Sequence, residues 1–297
     1  MIACACKYSP FAVFDGFSEE GVILNSDIDQ LNQADNLLHP NMCSYSKVFL
    51  DTIVEKKIDK VLLVNCCDSI RRLKDTLENI PTVKFVYIMD LPRKNSCCSK
   101  NMLKSEILKF IDAYEKFSGK KFDIEKFNNS LYKYLDSDKT PESPYIAVLG
   151  AKASKDFLHK VQDSLDFPLV NHTCSREHYL KRIEKFDNKE DAIAWYADEM
   201  MGYTPCMRME DATNRRALLE DPNLKGIVYH TVKFCDHYSY EYINLQKGDI
   251  PILKVETDLT NQSNGQVKTR IEAFNEQLSG GNIKMKNAID LLIEKIK

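Results

Sequence analysis

Short apolar runs alternate with amphipathic stretches along most of the chain. MIACA, KVLLVN and VKFVYIMD near the N-terminus are rich in aliphatic and β-branched residues. Runs of that length suit parallel strands buried on both faces. After the first, Pro10 opens a helix-like segment carrying Phe11, Phe14 and Phe17 on one side. HPNMCSYSKVFLDTIVEKK predicts a turn and then an amphipathic helix with Val48, Ile53 and Val54 inward, and SIRRLKDTLENI follows the second strand as another helix. Strands that alternate with helices in this way predict a doubly wound α/β layer.

From Ser99 to Asp136 the period changes to that of helices. Ile107, Phe110, Ile111, Tyr114 and Phe117 recur at helical spacing, Gly119 interrupts them, and a second helix runs through Phe127, Leu131 and Tyr134. The aromatic spacing is that of a packed core, and DSDKTPESP, polar with two prolines, is a linker. Strand-like runs resume with PYIAVLG, FPLVNHT, GIVYHTVKF and PILKVETD. Between them KDFLHKVQDSL, SREHYLKRIEKF, KEDAIAWYADEMM and ATNRRALLED are expected to be helical. The expected architecture is therefore α/β, with two Rossmann-like, doubly wound parallel-sheet domains joined by a helical hairpin. The boundaries fall at 1–98, 99–143 and 144–297, and the second domain repeats the first.

Composition narrows the class. With 297 residues, 43% of them hydrophobic and 29% charged, the chain can bury two ordinary cores. A net charge of -3 and a pI near 6.1, without a basic stripe, argue against nucleic acid or an anionic membrane as partner. No apolar run is long enough to span a bilayer, and MIACACKYSP lacks the basic flank and apolar core of a secretory signal, so a cytoplasmic location is expected.

Ten cysteines in a reducing compartment need a role other than disulfides. Their places in the pattern supply a candidate. Cys6, Cys67, Cys174 and Cys235 follow strand-like runs, whereas Cys43 and Cys206 lie in turns that precede helices. Ligands of open α/β sheets sit outside the carboxyl ends of the strands, and a helix N-terminus favours a thiolate. Two such domains facing rim to rim would gather six thiols in one cleft. Structural zinc is disfavoured, since the chain lacks the close pair C-x2-C. A nucleophilic cysteine is an alternative, with His230 and His237 on either side of Cys235, although His230 stands five residues away along a strand. An iron-sulfur cluster suits thiols that come from separate elements better. Cys4, Cys97 and Cys98 follow no such rule, and Cys66 is set aside because adjacent cysteines cannot easily ligate one metal together. Among the other polar candidates, Glu256 and Asp258 in KVETD could deliver protons or cap the next helix. Arg71, Arg72 and Arg270 could hold an anion or a partner, or could be solvated helix charges.

Taken together, HPNMCSYSK, NCCDSIRRL, YIMDLPRKN, PCMRM, GIVYHTVKFCDHYSYEY and VETDLTNQSNGQVKTRIEAFNEQL resemble the 2-hydroxyacyl-CoA dehydratase and benzoyl-CoA reductase family, including its double-cubane cluster branch. The similarity covers nearly the whole chain. It implies an iron-sulfur cluster between two Rossmann-like domains and electrons delivered by a separate ATP-hydrolysing activator that carries its own cluster. Cys43, Cys67 and Cys235 match ligands common to the family, and Cys6, Cys174 and Cys206 match those of the double-cubane branch. The resemblance implies an iron-sulfur reductase that acts on a small substrate in the cleft. Its alternatives are a subunit of a 2-hydroxyacyl-CoA dehydratase with one 4Fe-4S cluster and an acyl-CoA substrate, or a cluster-bearing relay without chemistry of its own. Pairing as a homodimer or heterodimer is expected. KYSPFAVFDGF departs from the dehydratases in having Ala12 and Val13 where an acidic residue usually stands, with Asp15 beyond.

Overall fold

The computed structural model describes residues 1–280 apart from 26, 136–140, 176–179, 204–205, 210–212, 247 and 261–265. Its first half runs β1 (Ile2–Cys4), α1 (Phe11–Gly16), β2 (Gly21–Ile23), α2 (Ala34–Leu37), α3 (Ser44–Glu55), β3 (Lys60–Val64), α4 (Asp68–Leu77) and β4 (Phe85–Met89). Two connecting helices follow, α5 (Cys97–Ser118) and α6 (Ile124–Ser130). The second half runs β5 (Tyr145–Gly150), α7 (Lys155–Asp163), β6 (Leu169–Asn171), α8 (Lys189–Met201), α9 (Thr213–Leu219), β7 (Leu224–Val232), α10 (Asp236–Leu245) and β8 (Ile252–Thr257), and residues 266–280 are helical.

Each half builds one parallel four-stranded sheet, in the orders β2-β1-β3-β4 and β6-β5-β7-β8. The two orders are the same pattern, so the expected repeat of an α/β unit holds. In each sheet the chain reverses its direction of travel beside the first strand. That creates a switch-point crevice at the carboxyl ends of β1 and β3, and another at those of β5 and β7. Both faces of the second sheet are covered. Tyr145, Ala147 and Leu149 point into one apolar cluster, and Ile146 and Val148 into another with α7 and the helical segment 266–280. The period-2 alternation of a fully covered strand explains why PYIAVLG is apolar throughout.

α5 begins at Ser96, whose hydroxyl accepts from the Ser99 amide, and stops at Gly119, left-handed at φ 70°. That conformation is the usual end of a helix at glycine. The apolar face of α5, with Leu103, Ile107, Phe110 and Tyr114, packs on the first sheet. α8, from the second half of the chain, joins the same cluster through Ile193, Trp195, Tyr196 and Met200. Trp195 is thus a core residue.

One expected helix does not form. Of the stretch SREHYLKRIEKF, residues 176–179 lie outside the described residues, and from Leu180 to Phe186 the chain is irregular. Here tertiary contacts override the local pattern: Leu180 bridges to Leu135, and Asn128 both donates to the Phe186 carbonyl (2.8 Å) and accepts from its amide (3.2 Å). Among the described residues, no helix is long and apolar enough to cross a membrane.

Candidate thiol centre

The two switch-point crevices meet at a cavity of about 190 Å³. A single water needs roughly 10–15 Å³ of such space, so the compartment has room for a polyatomic group. Seven thiols line it: Cys6, Cys43, Cys66, Cys67, Cys174, Cys206 and Cys235. All six cysteines singled out from the sequence are therefore brought together. Cys66, set aside as the neighbour of Cys67, is there too, because a tight turn in which its amide bonds the Val64 carbonyl (2.7 Å) folds it inward. Cys4 is buried within β1, and Cys97 and Cys98 are exposed at the start of α5.

The sulfurs fall into two interacting sets. Cys43, Cys67 and Cys235 occupy the N-cap positions of α3, α4 and α10. Three helix N-termini thus converge on one place, each presenting roughly half a positive charge and amides without intrahelical partners. The electrostatics follow. A hydrogen bond from Cys235 holds Cys43 below the ordinary thiol range despite burial, assisted by the first-turn amides of Tyr45 and Ser46, and the donor Cys235 is pushed up in return. Cys66 acts likewise on Cys67, which is brought down to about 7 with the help of the Ile70 and Ser69 amides, while Cys66 itself rises. Cys235 reaches its cap through Phe234, a non-glycine residue at φ 62° that is half exposed at the cavity mouth. Such a conformation costs of order 1–3 kcal/mol and survives where the surrounding structure enforces it.

Cys6, Cys174 and Cys206 form the second set. Burial pushes Cys6 up to about 12, with Cys206 and Cys174 adding to the effect. Burial raises Cys174 to about 11, again with Cys206 next in importance. The Tyr8 amide approaches the Cys6 sulfur at 3.5 Å, and the Tyr238 hydroxyl shares a hydrogen bond with that of Cys174. Each set draws thiols from both halves of the chain.

The repeat is not complete at the level of side chains. Cys174 follows β6, the counterpart of β2, and so does not correspond to Cys6 after β1. Strand register aligns Cys4 with Gly150, since each pairs with a residue five short of Cys67 or Cys235, namely Leu62 and His230. Two residues further on, Cys6 is matched by Lys152, not by a thiol. Both Lys152 and Lys7 line the cavity and are buried.

Neither Glu256 nor Asp258 lines the cavity. Glu256 is exposed on β8, and Asp258 accepts from the amide and hydroxyl of Thr260 at 3.0 and 2.7 Å, in a local turn. Arg270 is exposed and donates to the Lys254 carbonyl at 2.7 Å. Arg71 and Arg72 are engaged by Asn65 and Asp75 on their own surface. Asp15 holds Lys133 and Tyr134. His230 does not serve Cys235 either: its ring packs against Phe157 at 4.3 Å and meets Thr257 on another side of the sheet. Besides Lys7, Lys152 and the hydroxyl-bearing Tyr45, Ser46, Ser69 and Tyr238, the polar residues that line the cavity are Asp68, Asp236, His237 and Arg208. The sequence marked them only by adjacency, since each lies within two residues of one of the seven cysteines.

The thiols are the donors available to a metal centre. Among the described residues, no group of three or more His, Cys, Asp and Glu side chains has the spacing to share one ion. In an iron-sulfur cluster, by contrast, each thiolate takes its own iron, which asks for wider spacing.

Two parallel-sheet domains that turn their switch points toward a shared nest of cysteines define a class of α/β protein built around a soft-ligand cavity. Residues 2–141 and 136–278 match the 2-hydroxyglutaryl-CoA dehydratase, D-component family, and the chain belongs to that family. It is also 21% identical over 320 residues to the (R)-phenyllactyl-CoA dehydratase beta subunit of Clostridium sporogenes, an alignment that covers 84% of each protein.

Proposed function

We propose that this chain is an iron-sulfur reductase of the family. In this reading a double-cubane-type cluster is held by Cys6, Cys43, Cys67, Cys174, Cys206 and Cys235. A separate ATP-dependent activator supplies low-potential electrons, and a small substrate is reduced at the cavity between the domains. One observation carries the reading: six candidate ligands line a single cavity as two sets of three, each drawn from both domains. A 4Fe-4S cluster takes four thiolates at most, so this donor set suits two linked units. The donor chemistry fits the group in a second way, since three helix N-termini and two buried lysines offset the negative charge that such a group brings.

When bound, the group supplies one-electron transfer. The chain's own residues have other work. The apolar walls around Tyr45, Ile70 and Val232 exclude water, and Arg208 and His237 offer polar contacts for a small substrate. Tyr238 ties the two halves of the centre together, because it belongs to α10 behind Cys235 and bonds Cys174.

A second reading is favoured by the family and by the C. sporogenes relative, a dehydratase subunit. In that case the chain is part of a 2-hydroxyacyl-CoA dehydratase with one 4Fe-4S cluster on Cys43, Cys67 and Cys235, an acyl-CoA substrate and a companion subunit. Anaerobic reconstitution followed by iron and sulfide analysis separates the two. The reductase form takes up about eight irons per chain and loses about half of them in Cys206→Ala as well as in Cys235→Ala. About four irons, retained in full by Cys206→Ala, would establish the dehydratase form, and no iron uptake at all would refute both.

A further inference from the structure

The two sets of thiols are balanced electrically by different means. Around Cys43, Cys67 and Cys235 the positive ends are those of helices α3, α4 and α10. Around Cys174 and Cys6 there are whole cations instead. Lys152 is 6% exposed and Lys7 2% exposed, and both line the cavity. The Lys152 ammonium donates to the Cys174 carbonyl at 3.2 Å and lies 5.4 Å from the centre of the Tyr45 ring. Among the described residues it has no carboxylate partner. A buried ammonium with one carbonyl and one ring face is costly, and the usual remedy is a nearby negative charge. The thiols that act on it most are Cys174, Cys6 and Cys66. Its place in the fold points the same way, because Lys152 occupies the switch-point position that a thiol, Cys6, occupies in the first sheet.

From this asymmetry we infer that Lys152 is the internal counter-ion of the half-centre held by Cys6, Cys174 and Cys206, and that it makes this half easier to reduce. The other half is balanced by helix dipoles, and Lys152, which reaches it only by way of Cys66, acts on it far less. The inference rests on the two-unit reading above. Lys152 acts through space on the ligated group and touches no substrate, so it is a positioning and tuning residue.

The test uses the 297-residue chain, reconstituted anaerobically and titrated reductively under electron paramagnetic resonance, with iron and sulfide measured on the same samples. Lys152→Met keeps the length of the side chain and removes its charge. One of the two reduction midpoints should move to a more negative potential while the other stays, at an iron content equal to that of the unmodified chain. Lys152→Arg, which keeps the charge, should hold both midpoints near their original values, a rescue that a purely steric role does not give. At full iron content, midpoints that both stay, or that move together, overturn the assignment of Lys152 and leave the two-unit reading standing. About four irons or none in the unmodified chain overturns both.

Discussion

Gly150 is the residue on which the second half of the thiol centre turns, and Gly150→Ala tests the geometry directly. It ends β5 at φ 112°, a region open to glycine and closed to residues with a Cβ. A Cβ built there would overlap the carbonyl oxygen of His230 on β7. The two strands come this close because the same His230 carbonyl accepts from the Ala151 amide at 2.8 Å, while the Gly150 carbonyl accepts from the Cys174 amide at 3.2 Å. A methyl group must therefore distort the exit of β5, the approach to Lys152 and the loop that carries Cys174 together. An unfavourable backbone conformation costs about 1–3 kcal/mol and overpacking against unyielding backbone about as much again, for a sum of about 2–6 kcal/mol. That is a large part of the roughly 5–15 kcal/mol that holds an ordinary domain folded. Urea unfolding of the reduced, metal-free chain, followed by circular dichroism, should show a lowered midpoint with an unchanged slope. Iron uptake should fall in step, with the Cys6, Cys174 and Cys206 set the more affected. A variant within about 0.5 kcal/mol of the parent would show that the strands do not approach as described, and the argument for the position of Lys152 would go with it.

Two further outcomes follow from individual side chains. His230 is fully buried, and burial lowers its pKa from 6.5 to about 4. Below pH 6.5 the unfolded chain therefore binds a proton that the folded chain refuses. Stability contributed by the neutral ring is present above that pH and is lost as the pH falls toward 4. At 1.36 kcal/mol per pKa unit the loss between pH 7 and pH 5 is about 2 kcal/mol, so urea midpoints should fall over that range more steeply than those of His230→Gln, and equal pH slopes would refute the assignment. Cys66 and Cys67 share a hydrogen bond, yet only Cys67 caps a helix and belongs to the convergent set. Cys66→Ser should keep nearly all of its bound iron whereas Cys67→Ser loses a large share, and equal losses in the two variants would make Cys66 a ligand.

Much of this molecule is written in local pattern. The apolar runs at β1, β3, β4, β5 and β7 are legible because a parallel strand covered on both faces must be apolar throughout, and helix periodicity marks α3, α4, α5, α7 and α8 equally well. The positions of Cys6, Cys67 and Cys235 just beyond strands, and of Cys43 just before a helix, follow from the same periods. What the pattern does not carry is the relation between segments far apart in the chain. Only packing sends α8 to the first sheet, holds the stretch after Leu180 out of a helix by its contacts with Asn128 and Leu135, and turns Cys66 inward beside Cys67. Glu256 and Asp258 stand at a strand end in sequence and Arg270 on the helical stretch that follows, and all three are left outside the cavity in space. Lys152 is the opposite case, an unremarkable lysine in the sequence that becomes a buried charge facing thiols. Hydrophobic period is a property of neighbours within a few residues and therefore survives in the sequence, but the burial and electrostatics of a site depend on which surfaces meet, which is decided only when the two sheets close on each other.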